Sequence, residues 1–180
     1  MHFSVEAEQK RRFEGLVAEV RPSLVRYLQR RTDPDTAEDV LADALLVMWR
    51  RADEVPSDAP LPWCYGVARG CLANARRGSH RRLSLLTRLH RERPVVARQE
   101  GDTALGEALT TLSDRDREIL ALWAWEDLEP REIAAVLGTS ANAASIRLHR
   151  AKVRLRREYL SRVPDADPPS APPEHEEGSP

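Results

Sequence analysis

Nowhere in the 180 residues do apolar and polar side chains alternate over the length of a strand, and only 8 glycines are present to make the tight turns that join strands. That excludes a sheet-based fold. Two cysteines are too few for a disulfide scaffold. Cys64 and Cys71 stand seven positions apart on one expected helix, ~10 Å between Cα atoms and too far to bridge, so they read as small core residues. No His or Cys pattern completes a zinc site around them, and no cofactor is expected. No apolar run approaches the ~20 residues of a membrane span, and Met1 to Phe13 is too charged for an export signal. The expectation is a cytoplasmic chain without membrane insertion.

What is abundant is charge, 32% of residues, arranged in blocks that the net value of −1 conceals. Residues 32–58 carry eight acids against two Arg, residues 63–93 eight Arg against one Glu, residues 99–132 ten acids against three Arg, and residues 141–163 seven Lys or Arg against one Glu. Alternating blocks of this kind suit separate surfaces for separate partners. The fold class expected is all-α: two small helical domains joined by a basic linker, the second containing a helix-turn-helix.

Helix signals place the elements. Phe13, Leu16, Val17, Val20, Leu24, Val25 and Leu28 form a buried series on a first helix from about Glu6 to Arg31, with a bend before Pro22. Asp33 and Pro34 open a second helix to about Ala52. Three prolines make Glu54 to Pro62 a loop, and a third helix runs from Trp63 to about Arg77. Gly78 to Glu100 is a basic linker, and the six prolines and five acids after Val163 read as a disordered tail. Ser113 starts a helix to about Trp125 with Ile119, Leu120 and Trp123 inward.

The most informative stretch follows. Glu129, Pro130 and Glu132 signal a helix entry, Gly138 its end, and Ser140 the cap of a second helix. At ~100° per residue, Ala144, Leu148, Ala151 and Leu155 form one narrow apolar stripe. Asn142, Ser145, Ile146, His149 and Lys152 fall opposite, and Arg147, Arg150 and Arg154 lie along a flank where a helix in a major groove meets phosphates. Two further faces are unusual. Opposite the core face of the second helix, Asp39, Asp43, Leu46 and Arg50 set a leucine among charges, as in a protein-docking patch. The third helix collects Trp63, Gly66, Val67, Gly70, Asn74 and Arg77 on one face. Two glycines there imply close approach of another surface, either nucleic acid with unstacked bases or a tightly packed helix.

In its order of motifs the chain resembles the bacterial extracytoplasmic-function sigma factors. The matching pieces are AEDVLADALLVMWRR (Ala37 to Arg51), PWCYGVARGCLANARR (Pro62 to Arg77), LSDRDREILALW (Leu112 to Trp123) and EIAAVLGTSANAASIRLHRAKVRLR (Glu132 to Arg156). The resemblance implies an alternative sigma factor, not an enzyme, whose partners are core RNA polymerase, promoter DNA and an anti-sigma factor. It implies residues 1–80 as the domain for polymerase and the minus-10 element, 81–100 as linker and 101–162 as the minus-35 domain, ahead of the tail at 163–180. By the same resemblance Asp39, Asp43, Leu46 and Arg50 meet core polymerase. Trp63, Asn74 and Arg77 meet the minus-10 strand. Asn142, Ser145, Ile146 and His149 face the minus-35 bases, with Arg147 and Arg150 nearer the backbone. Ala42, Gly70 and Ser145 depart from residues common in the family, so Ser145 is expected to read a different base edge.

Two readings from other classes compete. A metal-dependent nuclease would need Asp33, Asp35, Glu38, Asp39 and Asp43 to converge, but their spacing spreads them around a helix. A polymerase-independent helix-turn-helix regulator would bind its operator tightly as the free protein.

Overall fold

A computed structural model describes residues 2–86 and 103–163, with side chains described for 7–79 and 103–163. All regular structure among the described residues is helical. The order is α1 His2–Gln29, α2 Pro34–Arg50, a 3-10 turn at Ala52–Glu54, α3 Pro60–Leu86, α4 Thr103–Thr111, α5 Asp114–Ala124, α6 Pro130–Leu137 and α7 Ala141–Leu160. Helix α1 carries Pro22 within its length, and α3 continues nine residues beyond the expected end at Arg77. The remainder of the expected linker and the tail lie outside the described residues.

The helix starts follow from local chemistry. The Asp33 carboxylate accepts the Thr36 N–H at 2.9 Å ahead of Pro34. Ser113 and Ser140 do the same for Asp116 and Ala143, each at 3.2 Å, replacing a partner that the first turn lacks. At α6 the Glu132 carboxylate reaches back to the Glu129 N–H at 2.9 Å. Gly138 then ends α6 at φ 63°, ψ 44°, where a residue with a Cβ is strained by roughly 1–2 kcal/mol. This left-handed residue turns the chain so sharply that two residues separate α6 from the Ser140 cap.

Helices α1 to α3 form the first lobe around Val20, Leu24, Leu28, Val40, Met48 and Cys64. Tyr27 and Tyr65 are buried with them, their rings 5.0 Å apart. Helices α4 to α7 form the second lobe around Leu112, Ile119, Leu122, Ile133, Val136 and Leu148. Burial pushes the Cys64 thiol up to about 12 and also raises Cys71, so neither is a reactive thiolate; both are free. Trp123 departs from its expected inward placement and is 42% exposed, while Leu122 takes the core seat. It lies in the last turn of α5, where its cover is the Lys152 ammonium, 3.4 Å from the ring centroid.

The lobes are in contact. Helix α3 packs on α6, and Val67, expected on an open face, is buried. A methyl group added at Gly66 would lie 3.6 Å from the Val136 carbonyl oxygen and 3.7 Å from that of Ala135, so Gly66 lets the two backbones meet. Of the two readings of this face, close helix packing holds at Gly66. Nothing lies within 4 Å of the same position at Gly70.

Candidate nucleic-acid and protein interfaces

Helix α7 sorts its side chains as its periodicity requires. Ala144, Leu148 and Ala151 are buried against α4, α5 and α6, which fixes the rotation of the helix about its axis. Asn142, Ser145 and His149 are consequently exposed, and Ile146 is 45% exposed. An apolar side chain left in solvent between two polar ones suits contact with a thymine methyl and base edges.

The basic flank divides in two. Arg147 and Arg150 border an open concavity together with Arg115, the second residue of α5. Periodicity within α7 gave no sign of Arg115, because it arrives from another helix. Arg154 lines the same concavity and is half-exposed, but it also has a structural partner: it donates to the Asp116 carboxylate at 2.7 Å, and that carboxylate is buried in the second lobe. Its function here is to clamp α7 onto α5. Lys152, expected on the reading face, is likewise engaged, over Trp123.

On α2, Asp39, Asp43, Leu46 and Arg50 are all exposed, Leu46 by 55%. They stand opposite Ala37, Val40, Leu41, Ala44 and Met48, which are buried, so the stripe is presented by the same packing that hides its counterpart. Trp49 lies beside it, its ring 5.1 Å from that of Phe13 in an edge-on contact.

Trp63 and Asn74 line a cleft of about 760 Å³, one wall of which is α3 and the loop before it, with Pro56, Asp58 and Arg69. The other wall is α6, from Arg131 to Gly138. The Trp63 ring is half-buried and the Arg51 guanidinium lies 5.4 Å from its centroid. Asn74 is exposed and accepts a hydrogen bond from Arg77. Trp63 and Asn74 thus share a face that looks at the second lobe, and Arg77 joins them through its bond to Asn74.

One buried constellation was missed altogether. The Glu126 carboxylate, only 3% exposed, accepts from Arg30 at 3.2 Å, Arg31 at 3.0 Å and the Tyr65 hydroxyl at 3.3 Å. Glu118 accepts from the Tyr27 hydroxyl at 3.3 Å and from Arg31 Nε at 3.4 Å. Burial, with Glu126 beside it, pushes the Tyr65 phenol up to about 12, so it remains a donor. The partners lie 61 to 96 residues apart, beyond any local pattern. Among the described residues no cluster of three His, Cys, Asp or Glu is placed to hold a metal ion, and no helix is long and apolar enough to cross a membrane.

Comparison with known proteins follows this geometry. Residues 16–82 match the family described as Sigma-70 region 2, and residues 102–155 match Sigma-70, region 4. The RNA polymerase sigma-E factor of Streptomyces avermitilis is 33% identical over 161 residues, covering 86% of this chain and 88% of that protein. The sigma-E factor of Streptomyces coelicolor is also 33% identical over 161 residues, covering 86% and 89%. Among solved structures, the fold is similar to that of the sigma factor RpoE in complex with the anti-sigma factor NepR from Bartonella quintana. That match has a TM-score of 0.63 and 22% identity over 81% of this chain and 95% of that one. CnrH, solved in complex with the cytosolic domain of CnrY, gives a TM-score of 0.56 and 22% identity over 87% and 91%.

The division of the basic flank is checked by stability. Arg154→Ala leaves a buried carboxylate without its partner and is expected to cost ~1–2 kcal/mol in urea unfolding, a value reduced by the half-exposure of the arginine. Arg150→Ala, on the open surface, is expected to stay within ~0.5 kcal/mol. Equal losses from the two substitutions would contradict the clamp.

Proposed function

The chain belongs to the extracytoplasmic-function group of bacterial RNA polymerase sigma factors, and on that premise we propose how its surfaces divide promoter-specific transcription initiation among them. As a sigma factor it directs core RNA polymerase to particular promoters. In our reading, residues 1–80 bind core polymerase and the minus-10 element, 101–162 bind the minus-35 element, 81–100 connect them, and 163–180 form a tail. The observation that carries the reading is the pair of solvent-facing stripes on α2 and α7, each held outward by a buried apolar stripe on the same helix.

The exposed stripe of Asp39, Asp43, Leu46 and Arg50 docks on polymerase, with Leu46 as the apolar centre of a charged rim. Helix α7 enters the major groove of the minus-35 element, where Asn142, Ser145, Ile146 and His149 meet base edges. Arg147, Arg150 and Arg115 hold phosphates and set register. Trp63, Asn74 and Arg77 receive the minus-10 strand as it opens. Stacking on an aromatic ring, worth ~1–3 kcal/mol per base, offsets the few kcal/mol of unstacking. Strand opening then follows from binding energy alone, and the chain catalyses no reaction of its own. It acts in the cytoplasm, where the polymerase and promoter are. Because the similar RpoE structure holds a sigma factor against an anti-sigma factor, an anti-sigma factor is proposed here too, covering the α2 stripe or wedging between the lobes.

Transcription with purified core enzyme tests the reading as a whole. Promoter-dependent transcripts are expected only when chain and core are combined; tight, specific duplex binding by the free chain without any transcript would favour a polymerase-independent regulator. For docking, the double substitution Asp39→Ala, Leu46→Ala is expected to weaken core binding by ~2 kcal/mol or more with an unchanged circular dichroism spectrum, both side chains being exposed. Unchanged affinity removes the interface.

For DNA reading, Ser145→Ala and His149→Ala are expected to shift which minus-35 sequences the holoenzyme selects from a randomised library, by ~1–3 kcal/mol at one or two base pairs. Arg150→Ala should instead weaken all sequences alike and lower the salt slope by about one unit, because one phosphate contact no longer releases its counterion. The reverse pattern would mean that α7 is rotated in the groove.

A further inference from the structure

No surface assigned to polymerase or DNA includes Trp123 and Trp125. They stand two positions apart where α5 ends, 42% and 41% exposed, and a pair of indoles left in solvent on one patch marks a contact site more often than a lone apolar residue does. Both line a groove of about 350 Å³, within the ~300–1,000 Å³ of ordinary ligand clefts. Leu105 and Leu109 of α4 and Leu155 of α7 complete its apolar lining. Lys152 over Trp123 and Arg30, 5.8 Å from the Trp125 centroid, leave each ring partly open.

The rim of this groove is basic. Arg30, Arg31, Arg76 and Arg117 line it against two carboxylates, Asp114 and Glu118, and both acids are already engaged, Asp114 by Arg117 and Glu118 by Tyr27 and Arg31. A guanidinium carries five N–H donors, so arginines that use only some of theirs can still donate to a further acid. Arg31 shows the deficit most plainly. Its side chain is 8% exposed and its other nitrogens donate to Glu118, Glu126 and the Tyr27 carbonyl, yet its Nη2 is buried with no hydrogen-bond partner among the described residues. A buried donor left unpaired costs ~1–3 kcal/mol, which an incoming carboxylate oxygen would relieve. The groove therefore suits an occupant that is apolar in its rings and anionic at its ends.

Such a segment follows α7 in the sequence. Residues 164–180 hold six prolines, five acids and no Lys or Arg, and the run PPSAPP from Pro168 to Pro173 stands between Asp165 and Asp167 on one side and Glu174, Glu176 and Glu177 on the other. Prolines three apart, as Pro169 and Pro172 are, fall on one edge of a polyproline helix ~9 Å from each other, the form in which proline-rich segments pack on aromatic-lined grooves. The reach is sufficient. The segment begins beside α4, where Arg162 pairs with Glu107 at 3.7 Å, and Leu155 lies ~12 Å back along α7 from Val163. From Pro164 to Pro169 the chain spans up to ~17 Å. We propose that the groove of Trp123 and Trp125 is a binding site for this chain's own residues 164–180, with Pro169 and Pro172 against the indoles and the flanking acids on the arginine rim. Docking within one chain proceeds at an effective concentration of about millimolar, so a contact too weak to hold a free peptide is occupied here.

The test uses the full chain with a nitroxide on Ser179→Cys, beyond the proline run, in a Cys71→Ser background that leaves buried Cys64 unlabelled. Proton–nitrogen NMR follows the indole N–H signals of Trp49, Trp63, Trp123 and Trp125, assigned by single Trp→Phe changes. Those of Trp123 and Trp125 are expected to lose most of their intensity to the nitroxide, and those of Trp49 and Trp63 little. Adding Pro169→Ser and Pro172→Ser is expected to restore the lost signals, and Glu174→Gln, Glu176→Gln and Glu177→Gln together to restore them in part. All five positions lie outside the described helices, so these variants probe docking without altering the fold that forms the groove. Equal loss at all four indoles, or a loss that survives either set of changes, overturns the proposal. A mixture of isotope-labelled chain lacking the nitroxide with unlabelled chain carrying it separates a neighbour's tail from the chain's own. Unchanged signals in that mixture are expected, and the Trp123 and Trp125 loss reappearing there overturns docking within the chain.

Discussion

The arrangement of the two lobes depends on one carboxylate. Glu126 follows α5 in a short turn in which Asp127 adopts φ 54°, and this turn carries the side chain into the first lobe between Arg30 and Arg31. A carboxylate with almost no exposure is tolerated only because three donors surround it, and a guanidinium buried beside it only because two carboxylates are near. Around that fixed point the rest of the contact is permissive. Gly66 removes the side chain that would hold α3 off α6, and Arg76 ties the end of α1 to α3 by donating to the Arg31 carbonyl at 2.7 Å. Two acids of the block at 99–132, Glu118 and Glu126, thus serve Arg30 and Arg31 of the first lobe before any partner.

The faces used for recognition are fixed by what they are not. On α2 and α7 a narrow apolar stripe sinks into the lobe, and Asp39, Asp43, Leu46 and Arg50 on one helix and Asn142, Ser145, Ile146 and His149 on the other are presented to solvent at a defined angle. In the proposed reading, precision at the DNA surface then comes from core packing. Arg154 extends the same logic to charge: by pairing with Asp116 it holds α7 against α5, and Arg147 and Arg150 are left at the surface with Arg115.

Much of this was legible in the sequence because it is local. Ser113, Ser140 and Gly138 act within one helical turn, and the Ala144, Leu148, Ala151 stripe repeats every three or four residues. The errors came where a side chain has two destinations. Trp123 satisfies the inward periodicity yet falls in the terminal turn, and Lys152 satisfies the outward one yet lies over Trp123; Arg154 keeps its place on the basic flank but also meets an acid 38 positions away, which no local pattern shows. The face of α3 was ambiguous for the same reason: a glycine that admits a strand also admits a helix, and Gly66 admits α6. Nothing in the stretch WAWEDLEP distinguishes Glu126 from a solvated acid, because its partners are 61, 95 and 96 residues distant.

That Glu126 holds the two lobes together is the central claim, and a distance measurement reaches it directly. Spin labels on Gln29→Cys in α1 and Thr110→Cys in α4, both exposed positions, in a Cys71→Ser background, leave buried Cys64 unlabelled. Pulsed electron spin resonance is predicted to show one short distance in the chain with Glu126 intact and a longer, broader distribution when Glu126→Ala is added. The same short distance in both chains would contradict the account.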